Sequence, residues 1–267
     1  MRARARFIFT LALRFGHYVN MKVAKRLITT AAFIVAMQGF IPTANASVVI
    51  AGTRVVFNQS DSEVTVKLTN NGKLPGLTKV WMDKGDPNIK PDAIDVPFTI
   101  TPPIMRIDPS KSQTLRIMST GEPLPADKES IFYLNVLEVP PKPTGDEASA
   151  NQLQLAFRTR IKFFYRPSGL KGQATDAPGQ IVWHLKHDGG KNSIEASNPT
   201  QYHVSFDRVQ VSNGASASEF TDGGMVGPGE SRAFPLKGEV PANSTKIRYT
   251  AINDYGGPQD GDASLAP

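Results

Sequence analysis

The chain has no cysteine among its 267 residues, so no disulfide can form and the packed core alone must hold the fold. Helical periodicity is almost as scarce. Short apolar alternations separated by Gly, Pro, Asn and Asp recur instead, which argues for an all-β chain. No G-x-S-x-G nucleophile motif is present, and the glycines of DGGMVGPGE lack the strand-to-helix context of a phosphate loop. Acids are missing from the first 46 residues, which hold seven of the 30 Lys+Arg and none of the 24 Asp+Glu.

That charge asymmetry belongs to a leader. Met21-KVAKR is a basic start, LITTAAFIVAMQGFI an apolar run, and Ala44-Asn45-Ala46 an A-x-A cleavage site. The run is shorter than the ~20 residues of a membrane-spanning helix, so membrane insertion is not expected. Cleavage after Ala46 is expected, leaving 221 residues from Ser47 and a destination in the bacterial periplasm. Residues 1–20, with four arginines, read as an extension upstream of a start at Met21. Without residues 1–46 the formal charge of +6 falls to −1, which removes the basis for a nucleic-acid or general polyanion partner.

About 220 residues suffice for two domains of ~100 each. The first is expected over 47–167, with strands in 47–57 (Gly52 as a bulge), 62–70, 77–83, 96–103, 112–118, 130–139 and the stretch before Pro167. Seven strands at this spacing point to an immunoglobulin-like sandwich. An elbow at Pro167-Ser168-Gly169-Leu170 leads to the second domain, 168–267, with strands in 181–185, 193–198, 202–211, 230–236 and 245–254. Its Gly/Asp/Pro-rich end is expected to fray.

NQLQLAFRTRIKFFYRP (151–167) carries the most information. Leu153, Leu155 and Phe157 alternate with polar or small residues, Arg158, Arg160 and Lys162 follow, and Phe163-Phe164-Tyr165 ends the stretch. A strand over 153–166 would be roughly fourteen residues long, against a usual ~5–6. One half can close its own domain while the other is offered to a partner, which argues for binding rather than catalysis. Strict alternation sets Lys162 on the face opposite Leu153, Leu155 and Phe157. Either a twist or bulge realigns them, or the two sets serve different surfaces; the sequence leaves both open.

Other constellations are weaker. His184 and His187 sit three apart, on opposite faces of a strand, and no third ligand accompanies them, so no metal is expected. Ser168-Gly-Leu-Lys171 fits S-x-x-K, the basis for a periplasmic hydrolase, but lies in the elbow without the SDN and KTG partners that chemistry needs. No cofactor and no enzyme activity are expected. A structural pilin or adhesin module is the other alternative, but such a subunit lacks its own last strand, and the first domain here has a full set.

GTRVVF (52–57), ITPPIMRIDP (100–109), DKESIFYLNVLEVPP (127–141), LAFRTRIKFFYRP (155–167) and INDYGG (252–257), in this order, resemble the PapD-like periplasmic pilus-assembly chaperones. The resemblance implies two immunoglobulin-like sandwich domains set at an angle, like a boomerang. It implies a non-enzymatic chaperone that binds exported pilin or fimbrial subunits by donor-strand complementation and delivers them to an outer-membrane usher. Leu153, Leu155 and Phe157 fall where the family's donor side chains lie. Arg54 and Lys162 fall where it anchors the subunit's terminal carboxylate, and Glu129, Arg166 and Asp254 match a charge network joining the domains. The short segment 142–151 resembles the branch that builds rod-like pili. An exposed donor row is also an open-edge hazard, which a self-capping homodimer would cover.

Overall fold

The computed structural model describes residues 47–266 except 90, 92–94, 143–153, 190 and 214–215. The leader with its cleavage site, residues 143–151 of the segment before the long strand, and Leu153 lie outside the described residues.

The chain is all-β, with two sandwiches in succession. The first opens with β1 (Val48–Ile50) and β2 (Arg54–Asn58). These form one apolar run in the sequence, but Gly52, at φ 104°, turns the chain between them, and they enter opposite sheets. The expected bulge is therefore a sheet switch. β3 (Val64–Asn70), β4 (Gly76–Asp83) and β5 (Phe98–Thr101) follow. Pro102 and Pro103 have no N–H to donate, so the ladder stops there, and the chain crosses to the other sheet as β6 (Ile104–Ile107). That strand was not expected from the alternation. β7 (Ser112–Ser119), β8 (Ser130–Val139) and β9 (Phe157–Arg166) complete the set. One sheet runs β1-β3-β7-β5 and the other β2-β9-β8-β4-β6.

Alternation decides what lies between the sheets. Val66, Leu68, Leu115 and Ile117 from one sheet meet Phe57, Met82, Leu134 and Phe163 from the other, all buried. The Phe98 ring meets Phe163 edge-on at 4.9 Å and Phe132 at 5.1 Å.

The second sandwich has β10 (Val182–Asp188), β11 (Lys191–Ser197) and β15 (Ser231–Pro235) in one sheet. Its other sheet orders β13 (Ala217–Phe220), β12 (Val204–Ser212), β16 (Lys246–Ile252) and β17 (Pro258–Ser264), with β14 (Gly224–Val226) also paired to β12. Trp183, Phe206, Phe234 and Tyr249 form its centre. The expected fray at the end is overturned. β17 pairs with β16 from Lys246↔Ser264 to Ile252↔Pro258. A rim strand needs no apolar face, and a Cβ at Gly261 would stand 2.3 Å from the Tyr249 hydroxyl. The glycine that reads as a breaker is what lets the strand lie over the tyrosine. No helix among the described residues is long and apolar enough to cross a membrane.

Candidate functional site

The site is built on β9 and its two neighbours. β8 pairs with β9 from Ser130↔Tyr165 to Glu138↔Phe157 without a shift in register. Period two therefore holds along the whole strand, and no bulge realigns Lys162 with Phe157. Ile161 and Phe163 point into the core, and Tyr165 packs against it; Phe157 is on that same face, beyond the end of the core. Lys162, Phe164 and Arg166 are on the other face, toward the second sandwich. Of the two ways of accommodating the alternation, the structure has different surfaces for the two rows. The strand is shorter than expected: it begins at Phe157, and Leu155 precedes it outside any strand. Leu155 is 53 % exposed and Phe157 48 %.

The opposite edge of β9 is only half covered. β2 runs parallel to it, from Arg54↔Lys162 to Asn58↔Arg166. From Phe157 to Ile161 no strand among the described residues pairs on that side. An open edge thus leads directly to Arg54 and Lys162.

Those two cations are cross-strand neighbours, an arrangement that repels. The Arg54 guanidinium donates from Nη1 to the Ile252 carbonyl at 2.8 Å and lies 5.8 Å from the Phe164 ring centroid. The Lys162 ammonium donates to Ser205 Oγ at 2.8 Å. Both partners are neutral groups of the second sandwich. Burial, then the charges of Arg54 and Arg232, pull the Lys162 pKa down to about 8. Burial also lowers that of Arg54.

Glu129, Arg166 and Asp254 come together beside it. Arg166 donates from Nη1 and Nη2 to the two Asp254 oxygens at 2.7 and 3.0 Å, and from Nε to Glu129 Oε1 at 3.0 Å. Burial opposes its charge, but Asp254 and Glu129 outweigh burial and hold the Arg166 pKa above its ordinary range. The other Glu129 oxygen accepts the His203 backbone N–H at 2.9 Å and faces its Nδ1 at 3.0 Å. Every buried oxygen of Glu129 therefore has a partner, which buried charge requires.

The cationic stretch 158–166 needs one correction. Arg158 and Arg160 are not two free positive charges, because the buried Asp83 pairs with Arg160 and lies 3.8 Å from Arg158, offsetting one of the two. Arg160 forks onto it from Nε at 3.0 Å and Nη2 at 2.5 Å, while Asn135 and the Gly85 N–H add bonds at 2.8 and 2.7 Å. Burial alone would raise the Asp83 pKa, but these donors lower it. Arg158 bonds Asn135 Oδ1 and lies 5.0 Å from the Trp81 ring centroid. Asp83, Asn135, His203 and Ser205 escape a reading of the sequence, since no local pattern signals a partner 40–80 residues away.

Residues 47–171 match the family described as pili and flagellar-assembly chaperone, PapD N-terminal domain, and residues 176–263 match pili assembly chaperone PapD, C-terminal domain. The chain belongs to the PapD-like pili-assembly chaperones. Among curated relatives, the probable fimbrial chaperone YadV of Escherichia coli is 44% identical over 89% of this chain and 97% of its own length. The chaperone protein FimB/FhaD of Bordetella pertussis is 44% identical over 84% of this chain and 91% of its own. Among solved structures, the YadV chaperone has a TM-score of 0.71 at 40% identity, covering 82% of this chain and 100% of that one. The fold is shared with the SafB chaperone of Salmonella enterica, solved in complex with SafA pilin (TM-score 0.68, 24% identity, 84% of this chain and 98% of that one). The PapD-like family is one of chaperones, not of enzymes.

Proposed function

We propose that this chaperone works in the periplasm, after cleavage at Ala46, and captures pilin or fimbrial subunits by donor-strand complementation. The observation that carries this reading is the open edge of β9, unpaired among the described residues, that ends at two adjacent cations with no carboxylate in ion-pair contact among the described residues. A strand seated on that edge, in line with β2 and with its terminal carboxylate at Arg54 and Lys162, has to run in the direction of β2, parallel to β9. Its carboxylate would accept charge-assisted bonds from both cations, and this fixes its register.

Leu153, Leu155 and Phe157 are the donor row in this reading. Phe157 continues the core-facing row of the first domain (47–167) outward, and in this reading the three side chains fill the apolar groove of an unfinished subunit. Burial of each contributes about 1.5–3 kcal/mol before ordering costs. Glu129, Arg166 and Asp254 hold the second domain (168–267) against the first and so keep Ser205 and Ile252 behind the anchor. Delivery to an outer-membrane usher needs a further surface. We propose for it the exposed Leu77, Ile104 and Val139, on β4, β6 and β8 of the same sheet. In the free protein a second copy would cap the same edge of β9.

The test is co-expression with a pilin of the same organism. Wild type should co-purify the subunit, while Arg54→Ala and Lys162→Ala should not, although both variants remain folded. Wild-type yield of pilin with either variant would overturn the anchor.

A further inference from the structure

We infer that the carboxylate anchor has a third cation, Arg232, supplied by the second domain, and that the cavity it shares with Lys162 receives the last residue of the captured strand. The inference rests on the proposed anchor at Arg54 and Lys162 and assigns its missing wall.

A cavity of about 310 Å³ opens beside Lys162. Tyr133 and Lys162 line it from the first sandwich, and Ser205, Met225 and Arg232 from the second. At ~30 Å³ per water, the space is an order of magnitude larger than one water, enough for a carboxylate together with a side chain. Its charges are Lys162, Arg232 and one acid, Asp207, which is exposed on the irregular step of β12 between Phe206 and Arg208. Among its own lining residues, cations outnumber the acid by two to one; Arg54 adjoins, with Glu129 and Asp254 acting on it.

Arg232 is held, not neutralised. Its Nη1 donates to the Met225 carbonyl at 3.0 Å, and its guanidinium lies 5.6 Å from the Phe234 ring centroid. No carboxylate among the described residues forms an ion pair with it. The Phe234 ring reaches this rim because Gly224 has no side chain; a Cβ there would stand 2.4 Å from the ring. Two neutral contacts thus fix the guanidinium and leave donors for an anion in a planar fork that suits a carboxylate. The charge of Arg232 also helps to depress the Lys162 pKa, so the two sense each other across the cavity. A terminal carboxylate relieves that repulsion; an amide or a continuing chain does not.

The probe is a fluorescein-labelled decapeptide that alternates valine with serine and ends in a free carboxylate, compared by anisotropy with the same peptide ending in an amide. The ratio of the two affinities is the readout, since loss of fold lowers both together. Wild type should prefer the acid, Arg232→Gln should cut the preference about tenfold, and Arg232→Lys should keep most of it. If Lys162→Ala loses the preference and Arg232→Gln keeps it in full, Arg232 has no part in the anchor and the anchor itself stands. If wild type does not distinguish acid from amide, the anchor reading falls and this inference with it.

Discussion

Arg54 and Lys162 face each other across the first pair of the β2–β9 ladder, two cations side by side whose hydrogen bonds go to a carbonyl and a hydroxyl. Asp254 and Glu129 support the Arg54 charge, but the neighbouring charges that act on Lys162 are those of Arg54 and Arg232. A fold that keeps such a pair carries a cost, which a bound carboxylate would remove.

Lys162→Met should therefore stabilise the free protein while disabling it. Burial pulls the lysine pKa from 10.5 to about 8, so the charged ammonium costs the folded state at every pH below about 8. The cost fades as pH rises from about 8 to 10.5, because the folded protein has by then released a proton that the unfolded chain still holds. Thermal unfolding at neutral pH should show a gain of about 1 kcal/mol for the variant, falling toward zero near pH 10. Pilin capture should drop at least about tenfold.

The same pKa sets the pH range of carboxylate binding. Affinity for the acid-ended peptide should be flat below about pH 8 and then fall by up to about tenfold per unit, since each unit halts the ammonium at a lower population. Lys162→Arg keeps its charge throughout and should flatten the curve. Titration calorimetry between pH 6 and 10 for both proteins tests this, and a wild-type curve flat through pH 10 would remove Lys162 from the anchor.

Much of the first sandwich can be read from alternation alone. Val64, Val66 and Leu68 in β3, and Ile161, Phe163 and Tyr165 in β9, are a strand's inner face written as sequence. What the other face meets is not written locally. Asp83 and Arg160 lie 77 residues apart, and Arg166 and Asp254 88 apart; only the closed sheets and the packed domains bring them together. Short strands also escaped. β6, β13 and β14 have too few residues for a period to emerge, and β17 is polar because it lies on a rim. The parity of Lys162 against Phe157 was legible, but that the two rows have different neighbours required the unshifted β8–β9 register.

Phe157 and Phe163 share a strand face but should respond differently to truncation. Phe163 is fully buried, and Phe163→Ala should cost about 3–5 kcal/mol. Phe157 is beyond the core, so Phe157→Ser, like Leu155→Ser, should stay within about 0.5 kcal/mol of wild type. Either serine variant should nevertheless weaken pilin capture about 10- to 100-fold. Urea unfolding and co-purification, run on the same proteins, separate the two effects. A serine variant that captures pilin as wild type does would overturn the donor row.

Arg166→Met should uncouple the two domains. Removing the guanidinium leaves Glu129, 2 % exposed, with His203 as its remaining partner, and leaves Asp254 without its forked donor. Breaking a buried pair by taking one partner away costs about 3–5 kcal/mol, whereas an exposed pair is worth about 0–1. The chain is suited to the measurement, because Trp81 and Trp183, its two tryptophans, lie one in each sandwich. Wild type should unfold in urea as one transition. The variant should show two, since neither core is touched and only their coupling is lost. It should also fail to capture pilin, because Ser205 and Ile252 reach Lys162 and Arg54 only while the second domain is held in place. A single transition shifted by less than about 1 kcal/mol would make Arg166 an ordinary surface cation, with the domains held by Phe164 and its apolar neighbours instead.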